Sequence, residues 1–354
     1  MRVKQKIYFI QEHLHEEFYH GGIGPADIER ILLQEGAQAL FFPYNNSFTL
    51  KAKLYRLIYG IRLLFTLEKE AIVFFQYPLY ARLHYILLRS LRLFRKKVRV
   101  VCLIDEINGL KYGDHGLLAW EKKWFTRFPF VIVHNHAMQT WFRENVPGRQ
   151  TTILQLFDFL TTPVKRQRAL APVIAYAGNL AESGFQERLG KLTNGGELVF
   201  HLYGLPAPDT ITLPANVVYK GVFRPYDLPA HIDAAFGLVW DGEEADRIAG
   251  SFGHYMQYIS HHKVSLHIMS RIPSIVYEQA GTAAFIREHQ IGFTINSLEE
   301  IPARLQQLTE AEYQQMCVNT EVLAQRLAAG EHLKRALREL LEITEAVKVD
   351  KRKA

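Results

Sequence analysis

A cation and a hydroxyl at the start of a helix can hold an anion, and Lys263 and Ser265 occupy such a place just behind His262. First-turn backbone N–H groups point at the same spot and the helix dipole favours negative charge there, so a diphosphate is the natural guest. Upstream, an apolar run ends in Trp240, Asp241 and Gly242, and Tyr255 follows in a polar loop; downstream, a second run ends in Tyr277 and Glu278. Each run is β-rich and each is followed by helical spacing, the pattern of consecutive βα units of a parallel sheet. Ligands of such sheets sit beyond the carboxyl ends of the strands. Residues 236–296 therefore read as a binding edge.

Three other groups could do chemistry. Asp105 and Glu106 close the apolar run 98–104, where metal ligation, proton abstraction or sugar binding by one carboxylate, and helix capping compete. Neighbours on an extended chain point to opposite faces, which argues against one ion held by both. His134, Asn135 and His136 end the run 130–133 with no third ligand near in sequence, which favours strand-end hydrogen bonding over a metal. Gly21, Gly22 and Gly24 follow the first apolar run; glycine there lets backbone amides approach a phosphate or sugar, with a plain tight loop as the alternative. Cys102 and Cys317 have no metal-like or redox spacing.

The elements that must position these groups come in two sets. Strands are predicted at 6–10, 39–42, 71–75, 98–104, 130–133 and 152–156, then at 173–177, 197–203, 216–219, 236–240 and 272–277. Helical spacing separates them, and everything past 297 is helical. A polar stretch bracketed by Pro163 and Pro172 divides the sets. The expected architecture is α/β, two doubly wound domains facing one cleft, with boundaries at 1–162, a linker 163–172, 173–330, and a terminal helix and charged tail 331–354.

The 354 residues are 48% apolar and 22% charged with a net charge of +6, an ordinary globular balance that implies anionic company. Nucleic acid is not expected, because no basic stretch is interleaved with a recognisable binding motif. Residues 81–99 hold seven basic side chains and no acid, which reads either as an interfacial membrane helix or as a solvated basic face. The apolar run at the N-terminus is too short for a signal peptide and no window reaches the length of a membrane span. A cytoplasmic chain that touches the inner face of the plasma membrane is the expectation.

The ordered set of Val131 to Asn135, Ala177-Gly178-Asn179, Tyr203-Gly204, Phe236 to Gly242, Gly253-His254-Tyr255, His262-Lys263-Val264-Ser265 and Pro273 to Val276 resembles GT-B glycosyltransferases, with particular likeness to bacterial galactofuranosyltransferases and the glucosyltransferases that extend adhesin glycans. The resemblance implies a hexosyl transfer from a UDP-sugar to a cell-surface glycan or a lipid-linked saccharide, without cofactor or metal. It implies that Lys263 and Ser265 meet the donor diphosphate, that Tyr203 and Gly204 line the nucleoside pocket, and that Asn179 lies near the cleft floor. The loop carrying Trp240, Asp241 and Tyr255 would cover the sugar nucleotide, with Glu278 at the same strand edge and Gly21 and Gly22 in the first loop of the N-terminal domain. Asp105 is the first choice for the base, with Asp27 or His20 behind it. A catalytically silent subunit of the same fold is the competing reading, and a homo-oligomer is compatible with either.

Overall fold

The computed structural model describes residues 6–13, 22–41, 49–95, 97–180, 184–192, 198–205, 213–241 and 244–353. Gly21, Gly242 and His20 lie outside the described residues. Two parallel sheets of six strands account for the architecture.

The first sheet comprises β1 (Ile7–Gln11), β2 (Gln38–Phe41), β3 (Ile72–Tyr77), β4 (Arg99–Ile104), β5 (Phe130–Val133) and β6 (Gln150–Ile153), in the order β2-β1-β3-β4-β5-β6. The second comprises β7 (Val173–Asn179), β8 (Val199–Leu205), β9 (Val217–Gly221), β10 (Phe236–Val239), β11 (Ser274–Tyr277) and β12 (Gly292–Ile295), in the order β12-β11-β10-β7-β8-β9. Each order reverses direction once, between β1 and β3 and between β7 and β10. A crevice opens at such a switch point because the flanking connections leave on opposite faces.

Between the first six strands run α1 (Ile23–Gln34), α2 (Leu50–Thr66), α3 (Arg82–Phe94), the short α4 (Asn108–Lys111), α5 (His115–Phe125) and α6 (His136–Asn145). The second half adds α7 (Leu228–His231), α8 (Gly250–Tyr255), α9 (His262–Met269), α10 (Ala283–His289), α11 (Ile301–Gln307), α12 (Glu310–Ala328) and α13 (Glu331–Lys353). β3 reads Ile-Val-Phe-Phe-Gln-Tyr and every residue of it is buried, as a strand covered on both faces requires. Apolar clusters lie on both faces of each sheet.

α13 crosses back to the first sheet. Its Leu333, Ala336, Leu337 and Leu340 pack among Phe9, Ile28, Ile31, Phe74, Leu103 and Phe130, so the end of the chain completes the core of its beginning. The polar stretch 163–172 is likewise no free spacer: Arg168 is buried and donates to the carbonyls of Ile232 and Ser270. Glycine at 204 is required by the sheet, since its φ is +138° and a Cβ there would lie 1.9 Å from the Gly178 carbonyl oxygen.

The N-terminus of α13 is capped from a distance. Asp158 accepts from the His332 and Leu333 N–H groups at 3.1 and 2.8 Å while only 3% exposed. Burial pushes its carboxyl up to about 7, although the two N–H donors favour the charged form. The folded protein therefore holds this proton more tightly than the unfolded chain, whose aspartates titrate near pH 4. Stability falls as pH rises through that window, by up to about 1.4 kcal/mol per pH unit. In Asp158→Asn that contribution is absent, so the wild-type minus variant difference in urea-unfolding free energy should decline between about pH 4 and pH 7. A difference independent of pH would show that the carboxyl titrates alike in both states.

Candidate functional site

The C-terminal edges of the two sheets face one another across a cleft of about 700 Å³. On the wall of the second domain, β7 ends in Gly178 and Asn179, β8 carries Tyr203 and Gly204 just before its last residue, and α9 begins with His262 and Lys263; all of these line the cleft. The Lys263 Cε lies 3.1 Å from where a Cβ on Gly178 would be. Glycine there leaves room for the lysine to reach across the strand end.

Lys263 is held by two partners. Its Nζ donates to Asp241 Oδ1 at 2.8 Å and to the Tyr176 hydroxyl at 3.1 Å, and sits 4.5 Å from the centroid of the Tyr176 ring. His261 Nε2 is 3.1 Å from the other Asp241 oxygen. Burial works against both charges. On Lys263 the Asp241 carboxylate outweighs it and raises the ammonium above its ordinary range, and on Asp241 the lysine and His261 outweigh it and hold the carboxyl well below the usual range. The result is a fixed ammonium at the cleft wall, in the first turn of a helix whose capping residue, His261, makes no side-chain cap bond among the described residues.

The opposite wall belongs to the first domain. Gly22, Ile23, Gly24 and Pro25 start α1, Pro78 and Tyr80 follow β3, and Asp105 and Glu106 follow β4. Glu106 is paired with Lys111 at 2.8 Å. Asp105 Oδ1 is buried and has no hydrogen-bond partner among the described residues. Burial, reinforced by Glu106, Glu29 and Glu12, raises the Asp105 carboxyl well above its ordinary range. A carboxyl so placed binds a proton avidly once ionised. Among the described residues no three His, Cys, Asp or Glu side chains gather as a metal would need.

Of the residues expected in the site, Gly22, Asp105, Asn179, Tyr203, Gly204 and Lys263 reach the cleft, and Asp241 stands behind Lys263. Four are placed elsewhere. Ser265 is fully buried and donates to the Phe157 carbonyl at 2.6 Å; two positions beyond Lys263 on a helix lie about 200° round its axis, so both cannot face the cleft. Trp240 is wholly buried in the core of the second domain, its Nε1 donating to the Glu244 carbonyl. The Tyr255 ring inserts among apolar residues of the first domain, where its hydroxyl accepts from the Ile107 N–H at 2.7 Å. Glu278 is engaged by Arg287 and Thr294 away from the cleft.

Two further groups join the domains. His134 Nε2 meets the Ile104 carbonyl at 2.8 Å and its Nδ1 accepts from the Ser260 N–H at 3.0 Å, which fixes a neutral ring; burial brings its pKa down to about 4. Asn135 caps α6 and also donates to the Tyr258 carbonyl, so this strand end is a structural joint. Asp27, an alternative base, accepts from the Tyr226 hydroxyl, the Leu160 N–H and Arg30, which commits both its oxygens to the domain junction. Sequence reasoning missed Tyr176, His261 and Lys111. The first lies two residues before the Gly178-Asn179 strand end and the second directly before His262-Lys263, so adjacency to the motifs was the available signal.

A family model described as "Glucosyltransferase 3-like, N-terminal domain" matches residues 6–156, and one described as "Glucosyltransferase 3-like, C-terminal domain" matches residues 174–340. The chain is 26% identical over 282 residues to beta-1,6-galactofuranosyltransferase WbbI of Escherichia coli (strain K12), covering 78% of this chain and 81% of that one. It is 28% identical over 249 residues to glucosyltransferase 3 of Streptococcus gordonii, covering 68% and 70%. Among solved structures, sucrose-phosphate synthase from Thermosynechococcus elongatus superposes with a TM-score of 0.67 at 13% identity, over 97% of this chain and 100% of that one. HepE from Anabaena, solved with UDP-glucose, gives 0.61 at 12% identity, over 96% and 99%. At such identities the structural likeness establishes the fold alone.

The Asp241 and Lys263 pair generates a stability prediction. Asp241→Asn leaves a largely buried ammonium without its counter-charge. A fully buried pair broken in this way costs about 3–5 kcal/mol. Here the side chains keep 18% and 24% of their exposure, so a smaller loss on the order of 2 kcal/mol is expected. The double variant Asp241→Asn with Lys263→Met should recover much of it. Urea unfolding of the wild type and the two variants measures this, and a single variant as stable as the wild type would show that the two charges are not coupled.

Proposed function

The chain belongs to the glucosyltransferase 3-like family of GT-B glycosyltransferases, and from that premise we propose that it transfers a hexosyl group, galactofuranose or glucose, from a UDP-sugar to a cell-surface glycan or lipid-linked saccharide without a metal ion. The observation that carries the reading is the Lys263 ammonium, held charged at the wall of the interdomain cleft by Asp241 and Tyr176. Breaking the bond between the anomeric carbon and a diphosphate builds negative charge on the leaving group, and a preorganised cation stabilises that charge most in the transition state. Glu106 is occupied by Lys111, which supports leaving-group stabilisation by Lys263 and helix amides rather than by an ion.

Tyr203, Gly204 and Asn179 take the nucleoside side of the cleft in this reading, and Gly22 with Pro25 and Tyr80 take the acceptor side. Asp105 removes the proton of the attacking hydroxyl. Its carboxyl stands at the cleft wall, and its raised affinity for a proton makes it the stronger base when ionised. Peripheral contact with an anionic membrane belongs to the same reading, because a lipid-linked acceptor would be reached there.

Turnover of a UDP-sugar panel tests the proposal. Lys263→Ala should lower kcat by roughly a hundredfold or more, equivalent to about 3 kcal/mol of transition-state stabilisation, with activity unaffected by chelator. Near-normal turnover in the variant, or loss of activity in chelator, would overturn the metal-free scheme. The kcat/KM profile should rise with pH along a limb lying above the ordinary carboxylate range, and Asp105→Asn should abolish that limb together with most of the rate.

A further inference from the structure

α2 turns its more apolar side outward. Leu50, Leu54, Leu57, Ile58, Ile61 and Phe65 are all exposed, Leu50 by 83% and Phe65 by 80%. Their spacing of four, three, one, three and four residues places them along one stripe of a helix. The residues that α2 buries are Arg56, Gly60 and Leu63, on the other side. A stripe of this kind ordinarily faces a core, so its exposure calls for a partner.

α3 lies beside α2 and extends the patch. It adds Ile86, Leu93 and Phe94, the last 74% exposed, and Arg95 ties the two helices together by donating to the Leu64 and Leu67 carbonyls. The charges on the two helices have one sign. Lys51, Lys53, Arg62, Arg82, Arg89 and Arg92 are exposed. No acid occurs between Glu35 and Glu68, nor between Glu70 and Asp105.

That charge pattern selects the occupant. A second copy meeting this face about a two-fold axis would set its cations against identical cations, and nothing in these segments offers the acids to offset them. An apolar stripe flanked by lysine and arginine matches instead the boundary between acyl chains and anionic headgroups, where such cations are attracted. We propose that the α2–α3 face seats the protein on an anionic lipid surface, with the α2 stripe entering the headgroup boundary. The proposal deepens the acceptor side of the function proposed above: the chain enters α3 through Pro78 and Tyr80, both of which line the cleft, so an acceptor held in the same surface is presented to the cleft rim.

Flotation of the full chain with vesicles of phosphatidylcholine, alone or mixed with phosphatidylglycerol, is the test. The wild type should partition at least about tenfold more strongly onto the anionic vesicles at low salt than onto neutral ones, and Leu54→Glu with Ile58→Glu should lower that partition by about tenfold or more. The melting temperature and its shift with UDP should be unchanged in the double variant, since neither residue lies in the cleft, and this separates the lipid face from the donor site. Equal partition of variant and wild type overturns the proposal. So does a wild type that stays with the soluble fraction yet forms a dimer that the double variant reduces to a monomer, which would make a second copy the occupant. Absence of any UDP shift alongside normal flotation would count against the transferase reading alone.

Discussion

A short irregular segment, residues 154–160, runs through the interior between two sheets, and its backbone polar groups must all find partners away from water. They find them on different elements. Gln155 N–H donates to the His134 carbonyl, the Phe157 carbonyl accepts from Ser265, Phe159 N–H donates to the Leu327 carbonyl, and Leu160 N–H donates to Asp27. Asp158 adds its side chain to the start of α13. One buried connector thus ties strand ends of the first domain, α9 and α12 of the second, and the helix that returns from the second to the first.

The cleft depends on that arrangement. α9 carries Lys263 toward the gap because Ser265, on its other side, is anchored to the connector. Gly24 allows α1 to approach the same segment, since a Cβ there would meet the Phe157 ring at 3.0 Å. His134 and Asn135 link β5 to the chain leading into α9. The walls that hold Asp105 and Lys263 are therefore positioned by the hydrogen bonds of this connector and by aromatic packing around it.

Charge is distributed unevenly across the gap. The second-domain wall presents an ammonium whose counter-ion, Asp241, is itself shared with His261. The first-domain wall presents Asp105, whose ionisation is opposed by burial first and then by Glu106, Glu29 and Glu12. The cleft therefore sets a fixed cation on one wall against a carboxyl that holds its proton tightly on the other.

Much of this was legible in the sequence. Apolar runs such as 71–75 and 98–104, short and rich in β-branched and aromatic residues, read as strands buried on both faces, and their alternation with helices points to parallel sheets with ligands at the carboxyl ends. Lys263 could be placed at a helix start from its neighbours alone. What the sequence could not decide was which side of each element faces the gap. Ser265 shares a helix start with Lys263 yet points to the connector, because helical rotation separates them and only packing says which of the two faces wins. Trp240 and Tyr255 are large rings near a binding edge in sequence, and the structure uses both to fill interiors, one within its own domain and one across the junction. Sequence patterns are local, whereas α13 joining the core of the first domain, the lone pairs of Asp27 and the pairing of Asp241 with Lys263 are set by contacts between segments distant along the chain. Those contacts exist only once both sheets have formed and the connector has fixed the angle between them.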